Sequence, residues 1–432
     1  MTVLLYNVLL FFAAFFLIPF FAVKIVLTGK YRESIGPKFG YIPRDVTATM
    51  KGSPRIWMHA VSVGEVTAAA PIVSALRERY PKACIVLSTS TETGQRMARR
   101  LITDATAHIY YPLDIPMVIR TVIDRVNPDI FVPVETEIWP NFIRICRKRG
   151  IKIVMVNGRI SPRSFKRYRK TRFFWKRIMH MIDAIGAIST VDASRLETLG
   201  VDPSKILILG NAKYDGLAAG ADDTLRDIME ERLSIPHGTK VFVAGSTHEG
   251  EEEIILKVYR RLLEQHPDMV LIIVPRHPER GSAVRTYAND EGFDDCITMT
   301  EINGGEKRAG HRIIIVDVIG ELFRIYSLAT IVFCGGSLVP RGGQNILEPA
   351  AWGTVVLHGP FMDDFTDESE KLERAGGGIT VRNDSELLDE TLKLMEDTED
   401  RRRRGEAGRE IVTSNRGSAR RYADMITDYL ER

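Results

Sequence analysis

The feature that most constrains this chain is an alternation. Apolar runs of strand length recur with amphipathic segments of helical period between them. In the first half the runs read RIWMHAV (55–61), CIVLSTS (84–90), AHIYYP (107–112), DIFVPV (129–134), KIVMVNG (152–158), AIGAIST (184–190) and KILILG (205–210). The second half restarts with KVFVAGS (240–246), MVLIIVP (269–275), RIIIVDV (312–318), TIVFCGG (330–336) and TVVLHGP (354–360). Strands that are apolar throughout are buried on both faces, so they belong to parallel sheets covered by helices on each side, a doubly wound α/β architecture. Over 65–80, for instance, Val66, Ala69, Ala70, Val73, Leu76 and Tyr80 share one helical face while Arg77, Glu78 and Arg79 face water.

With 432 residues, 44% of them hydrophobic, the chain exceeds one compact core and suffices for two. The small, polar stretch NAKYDGLAAGADD separates the halves. The expected division is a membrane-anchor segment 1–28, a Rossmann-like domain 29–210, a linker 211–223, a second Rossmann-like domain 224–400 and C-terminal helices 401–432. The halves differ in charge: residues 24–210 carry 31 Lys or Arg against 15 Asp or Glu, and 211–432 carry 28 against 41. A basic first half suits an anionic surface or substrate. Cys84, Cys146, Cys296 and Cys334 are scattered and form no CxxC pair, which points to a reducing compartment with neither disulfides nor a zinc site.

From Thr2 to Val23 no side chain is charged, and this run is long enough to cross a hydrocarbon layer that needs about 20 residues. No basic stretch precedes it and no small-residue cleavage site ends it, so an anchor is expected rather than a cleaved leader. Lys24, Lys30, Arg32 and Lys38 follow at once and orient the remainder to the cytoplasm. Pro19 leaves open whether the segment spans the bilayer or only inserts.

In open α/β sheets, ligands bind at the carboxyl ends of strands, where glycine turns admit the backbone and helix N-termini offer N–H groups. Four turns qualify. Ser62–Val63–Gly64–Glu65 has the spacing of a capping box, yet Gly64 leaves space before the carboxylate. Glu135, Glu137 and Trp139 cluster after an apolar strand, either as a helix N-terminus or as a site. In the second half, Ser246, Thr247 and His248 precede Gly250–Glu251–Glu252, with Pro275, Arg276 and Arg280 after the next strand; these suit a phosphate. Gly335, Gly336, Ser337, Gly342 and Gly343 then bracket a loop entering a helix with Glu348, placed for ribose hydroxyls. No P-loop, GxGxxG, HExxH or DxD pattern occurs, and no metal is expected. Finally, residues 159–177 hold nine basic side chains, Arg159, Arg163, Lys166 and Arg167 among them, interleaved with Phe165, Tyr168, Phe173, Phe174 and Trp175. That composition fits a membrane surface or phosphorylated lipid, with RNA binding or a merely solvated basic helix as the alternatives.

Taken together, HAVSVGE (59–65), ETEIWPN (135–141), NGRIS (157–161), GNAKYD (210–215), GSTHEGEE (245–252), PRHPER (275–280) and GGSLVPRGGQNILEPAA (335–351) closely resemble the bacterial Kdo transferases, in order and spacing, over nearly the whole chain. The resemblance implies a GT-B fold, two Rossmann-like domains with the active site in the cleft between them. It also implies inverting, metal-independent transfer of Kdo from CMP-Kdo to a lipid A precursor at the cytoplasmic side of the inner membrane, with no cofactor. Glu65 matches the family's base, and Glu135 and Lys213 match positions that stabilise the transition state. Pro275 and Arg276, Ile319, Gly320 and Glu321, and Asn345, Ile346, Leu347 and Glu348 match segments that contact CMP; Ser246, Thr247, His248, Gly336 and Ser337 are further candidates for the donor. The alternatives are a GT-B enzyme using another nucleotide sugar and a non-catalytic lipid- or RNA-binding protein.

Overall fold

The computed structural model describes residues 6–8, 10, 12 and 32–432. It divides into two compact units, Met1–Gly216 with Asn415–Arg432, and Leu217–Ser414. Most of the expected anchor, and of the segment 1–28, lies outside the described residues. Among the described residues no helix is long and apolar enough to cross a membrane.

The first unit is built on a parallel sheet of β1 (Arg55–His59), β2 (Cys84–Thr89), β3 (Ala107–Tyr110), β4 (Ile130–Pro133), β5 (Lys152–Gly158), β6 (Ala184–Ala187) and β7 (Ile206–Ile208), in the order β3-β2-β1-β4-β5-β6-β7. The apolar runs are buried on both sides because alternate residues enter opposite cores. Trp57, Val86, Phe131 and Ile153 face one core; Ile56, Met58, Leu87, Val132 and Val154 face the other. Trp57 is fully buried, edge-on to Phe142 at 5.0 Å and Phe131 at 5.9 Å between ring centres. The second core is covered by the helix Val63–Arg79 and by the C-terminal helix Ser418–Leu430, which contributes Tyr422, Met425 and Ile426.

The second unit repeats the plan with β8 (Val241–Thr247), β9 (Val270–Pro275), β10 (Cys296–Thr298), β11 (Ile313–Ile315), β12 (Ile331–Cys334), β13 (Val356–His358) and β14 (Gly378–Thr380), in the order β10-β11-β9-β8-β12-β13-β14. The edge strands β10 and β14 escape the sequence pattern because each holds a single large aliphatic residue, Ile297 and Ile379, and so forms no apolar run.

Two boundaries differ from expectation. The stretch 211–223 is largely not an irregular linker: Ala212–Gly220 is helical, and the units divide within that helix. The C-terminal helices are shared out, with Thr398–Thr413 in the second unit and Ser418–Leu430 returning to the first. Asp215 holds that return, its carboxylate accepting the Gly417 N–H at 2.6 Å and the Ala419 N–H. The cysteines carry no disulfide.

Both strand orders reverse direction at one place. The chain winds outward from β1, then returns to lay β4 beside it; likewise it winds outward from β8 and returns at β12. In open α/β sheets such a reversal point, at the strand carboxyl ends, is where ligands bind.

Candidate active site

In the first unit, the turn after β1 and the turn after β4 meet at the reversal point. Glu65 lies in the first turn of its helix, only 7% exposed. The expected capping box does not form. Ser62 accepts no backbone N–H, while the Glu65 carboxylate reaches past it to accept the Val61 N–H at 2.6 Å and the Ser62 hydroxyl at 3.3 Å. Burial, with added repulsion from Glu135 and Glu137 and against the opposing Val61 N–H, pushes the Glu65 carboxyl up to about 8.

Glu135 adopts φ +57°, and its N–H is held by the Val156 carbonyl at 2.9 Å. Its carboxylate pairs with Lys213 Nζ at 3.0 Å. A Cβ on Gly64 would stand 3.6 Å from that same Nζ, so the missing side chain lets the ammonium approach the turn that carries Glu65. Two asparagines set the lysine in place: Asn157 accepts the Ala212 N–H at 2.9 Å and Asn211 the Lys213 N–H at 3.1 Å. Neither was singled out from sequence, although both lie in the recognised segments NGRIS and GNAKYD. Glu137, raised by burial and then by Glu135, lies toward Trp139, whose ring is 6.1 Å from Tyr111. His59 stacks on Tyr111 at 3.7 Å; burial drives it down to about 3, so it is a neutral structural group.

In the second unit the glycine turns do different work from that expected. Gly335 has no room for a Cβ, which would meet the Ser246 carbonyl and Thr247 Cα at 2.6 Å, so the glycine permits close packing of β12 on β8. Ser337 is fully buried; its hydroxyl donates to the Cys334 carbonyl at 2.5 Å and accepts the Gly359 N–H at 2.8 Å. Thr247 donates to buried Glu252, which pairs with Arg280 at 3.0 Å. Ser337, Thr247 and Arg280 are therefore committed to the scaffold. Glu251, 0% exposed, accepts N–H groups from His248, Gly336, Ser337 and Leu338 at 2.7–3.0 Å. Burial pushes its carboxyl upward and these bonds pull the other way.

The outer rim is more open. Arg276 is exposed after β9, Ile319 is 76% exposed after β11, and Glu348 accepts the Asn345 amide at 3.1 Å. Burial raises Glu348, with Asn345 and then Arg276 opposing, which brings these three carried-over residues together. Glu321 is held by Arg232 at 3.1 Å. Ile346 and Leu347 are core residues, able to offer only backbone. His248 lies edge-on to His277 at 6.0 Å, and burial, then Arg341, His277 and Arg276, keep it below the usual imidazole range.

Residues 33–216 match the family model described as 3-Deoxy-D-manno-octulosonic-acid transferase (kdotransferase). A 3-deoxy-D-manno-octulosonic acid transferase of Haemophilus influenzae is 35% identical over 99% of this chain and 98% of its own. One from Chlamydophila psittaci is 31% identical over 87% and 85%. The chain belongs to the Kdo transferase family. It is thus a glycosyltransferase, and the folds agree: a glycosyltransferase from Rickettsia africae superposes with a TM-score of 0.55 at 16% identity over 88% of this chain and 100% of that one. A UDP-GlcNAc 2-epimerase from Neisseria meningitidis superposes with 0.60 at 14% over 87% and 99%.

For this Kdo transferase, the three residues carried over as catalytic form one cluster in the first unit. The basic stretch splits in two. Its helices Pro162–Lys170 and Arg172–Met179 turn Phe165, Tyr168, Phe174 and Trp175 toward the core, leaving Phe173 68% exposed beside exposed Lys166 and Arg167, while Arg159 is half-buried. Tyr6 packs on Phe174 at 6.0 Å and donates to Asp114 at 2.8 Å, so its ring lies against the second of these helices.

Proposed function

We propose that the chain transfers Kdo from CMP-Kdo to a lipid A precursor by a single inverting displacement, with Glu65 as base. The observation that carries this is Glu65 itself, a buried carboxyl at the β1/β4 reversal point beside the Lys213–Glu135 pair. Ionised Glu65 takes the proton of the acceptor hydroxyl as its oxygen bonds to the anomeric carbon. The bond from that carbon to the CMP phosphate oxygen breaks, and CMP leaves with the electron pair. The transition state gathers positive charge on the sugar and negative charge on the leaving group; a carboxylate such as Glu135 suits the first, and a cation such as Lys213 suits the second. Inversion follows from attack opposite the leaving group.

In this reading the first unit serves the acceptor and the second the donor, with no metal or other cofactor and no nucleic acid. The chain works at the cytoplasmic face of the inner membrane, held by its N-terminal segment. Support for a membrane face comes from exposed apolar side chains around that segment: Val8, Phe12, Phe39, Leu113, Met117 and Phe173. The Leu113 N–H bonds to the Lys38 carbonyl, and Tyr6 ties the segment to Asp114. Exposed apolar side chains together with Lys and Arg suit a phosphorylated glycolipid in a bilayer.

Membranes carrying the protein, incubated with CMP-Kdo, tetraacylated lipid A precursor and EDTA, should form the Kdo product, and Glu65→Ala should reduce kcat by about 10²–10⁴. Undiminished turnover by Glu65→Ala removes the base, and loss of turnover with EDTA removes metal independence.

A further inference from the structure

At the reversal point of the second unit the backbone forms an anion cradle that is already filled. The N–H groups of Gly336, Ser337 and Leu338, at the end of β12, and of His248, just after β8, converge on Glu251 at 2.7–3.0 Å. Each carboxylate oxygen takes two of them, which leaves no oxygen facing an acceptor where a proton would sit; the geometry holds Glu251 as an anion. In nucleotide-binding α/β domains such converging amides at a strand end are where a phosphate rests.

We propose that Glu251 is a specificity-determining residue whose buried carboxylate occupies the place of a second phosphate, so that the unit accepts nucleotide donors bearing one phosphate and rejects nucleoside diphosphates. This rests on the donor reading above, in which the leaving group is a nucleoside monophosphate. A second phosphate brought to the end of β12 finds its amides already used and meets a fixed like charge shielded from water, where repulsion is strongest. A single phosphate can lie further out, where Arg276 and Arg341 are exposed near His248.

The test is competition against the Kdo donor, using the full-length protein with CMP, CDP and the methyl phosphoester of CMP. The ester places a methyl carbon where CDP carries its second phosphorus, as the Kdo donor places a sugar carbon, and it lacks the second phosphate's charge. CMP and the ester should inhibit comparably, and CDP about tenfold or more weakly. Glu251→Gln, which removes the charge and half of the acceptors, should narrow the CMP-to-CDP ratio about fivefold or more, whereas Glu251→Asp should keep it. The inference is overturned if wild-type protein binds CDP as well as CMP, if the ester is rejected as strongly as CDP, or if a folded Glu251→Gln protein keeps the wild-type ratio. Should Glu251→Gln not fold, the wild-type comparison of the three ligands decides alone. Failure of CMP itself to compete removes the donor reading and this inference with it.

Discussion

At the scale of single residues, Glu65 shows how burial changes the chemistry of a carboxyl in a local motif. Its position predisposes it to cap a helix, and it does hold the Val61 N–H, but burial lifts its carboxyl to about 8. A base must be ionised, so kcat/KM should rise with pH through about 8 and level off above it. Because Glu137 contributes to the upward shift, Glu137→Gln should move this rising limb to lower pH, as read from a pH–rate profile; an unmoved limb means Glu137 exerts no field there. Lys213→Ala should cost about 10²–10³ in kcat with little change in CMP affinity. Asn157→Ala, which removes the bond that sets the lysine's helix, should lower kcat about tenfold while Asn157→Asp, keeping an acceptor, recovers most of it.

At the scale of elements, the C-terminal helix Ser418–Leu430 has a role out of proportion to its position. Tyr422 is fully buried, and its hydroxyl donates to the Gly210 carbonyl at 2.7 Å, the residue that precedes the Asn211–Lys213 turn. The helix thus completes a core of the first unit and steadies the segment bearing Lys213. Tyr422→Ala should destabilise this unit by about 3–5 kcal/mol, measured by denaturant unfolding. An unchanged midpoint would show that the helix is a passenger. Its amphipathic pattern is readable along the chain; its partner is not, because the contact joins residues some 200 positions apart.

At the scale of the whole molecule, charge is unevenly distributed: the basic surplus lies in the first half of the chain, which in the proposed reading meets a phosphorylated lipid. Replacing Lys166, Arg167 and Lys170 by alanine should raise the acceptor KM several-fold, more at low salt than at high, and leave CMP inhibition unchanged. Weakened CMP binding in that variant would speak against a lipid-facing role for the patch.

Much of this was legible in the chain. Two doubly wound parallel sheets follow from apolar runs too continuous to have a wet face, since period and length are properties of neighbouring residues. Family membership follows from motifs whose order alone is informative. What tertiary structure decided is which polar groups remain available for chemistry. In sequence, Ser337 and Thr247 look as ready for a ligand as Arg276; packed, Ser337 bonds Cys334 and Gly359, Thr247 bonds Glu252, and Arg276 stays exposed. Likewise the GEE of 250–252 does not tell in sequence that both glutamates are buried, one filling the backbone cradle and the other paired with Arg280. The reason is physical: a buried polar group must find a partner, and which partner it finds depends on loops brought together from distant strands.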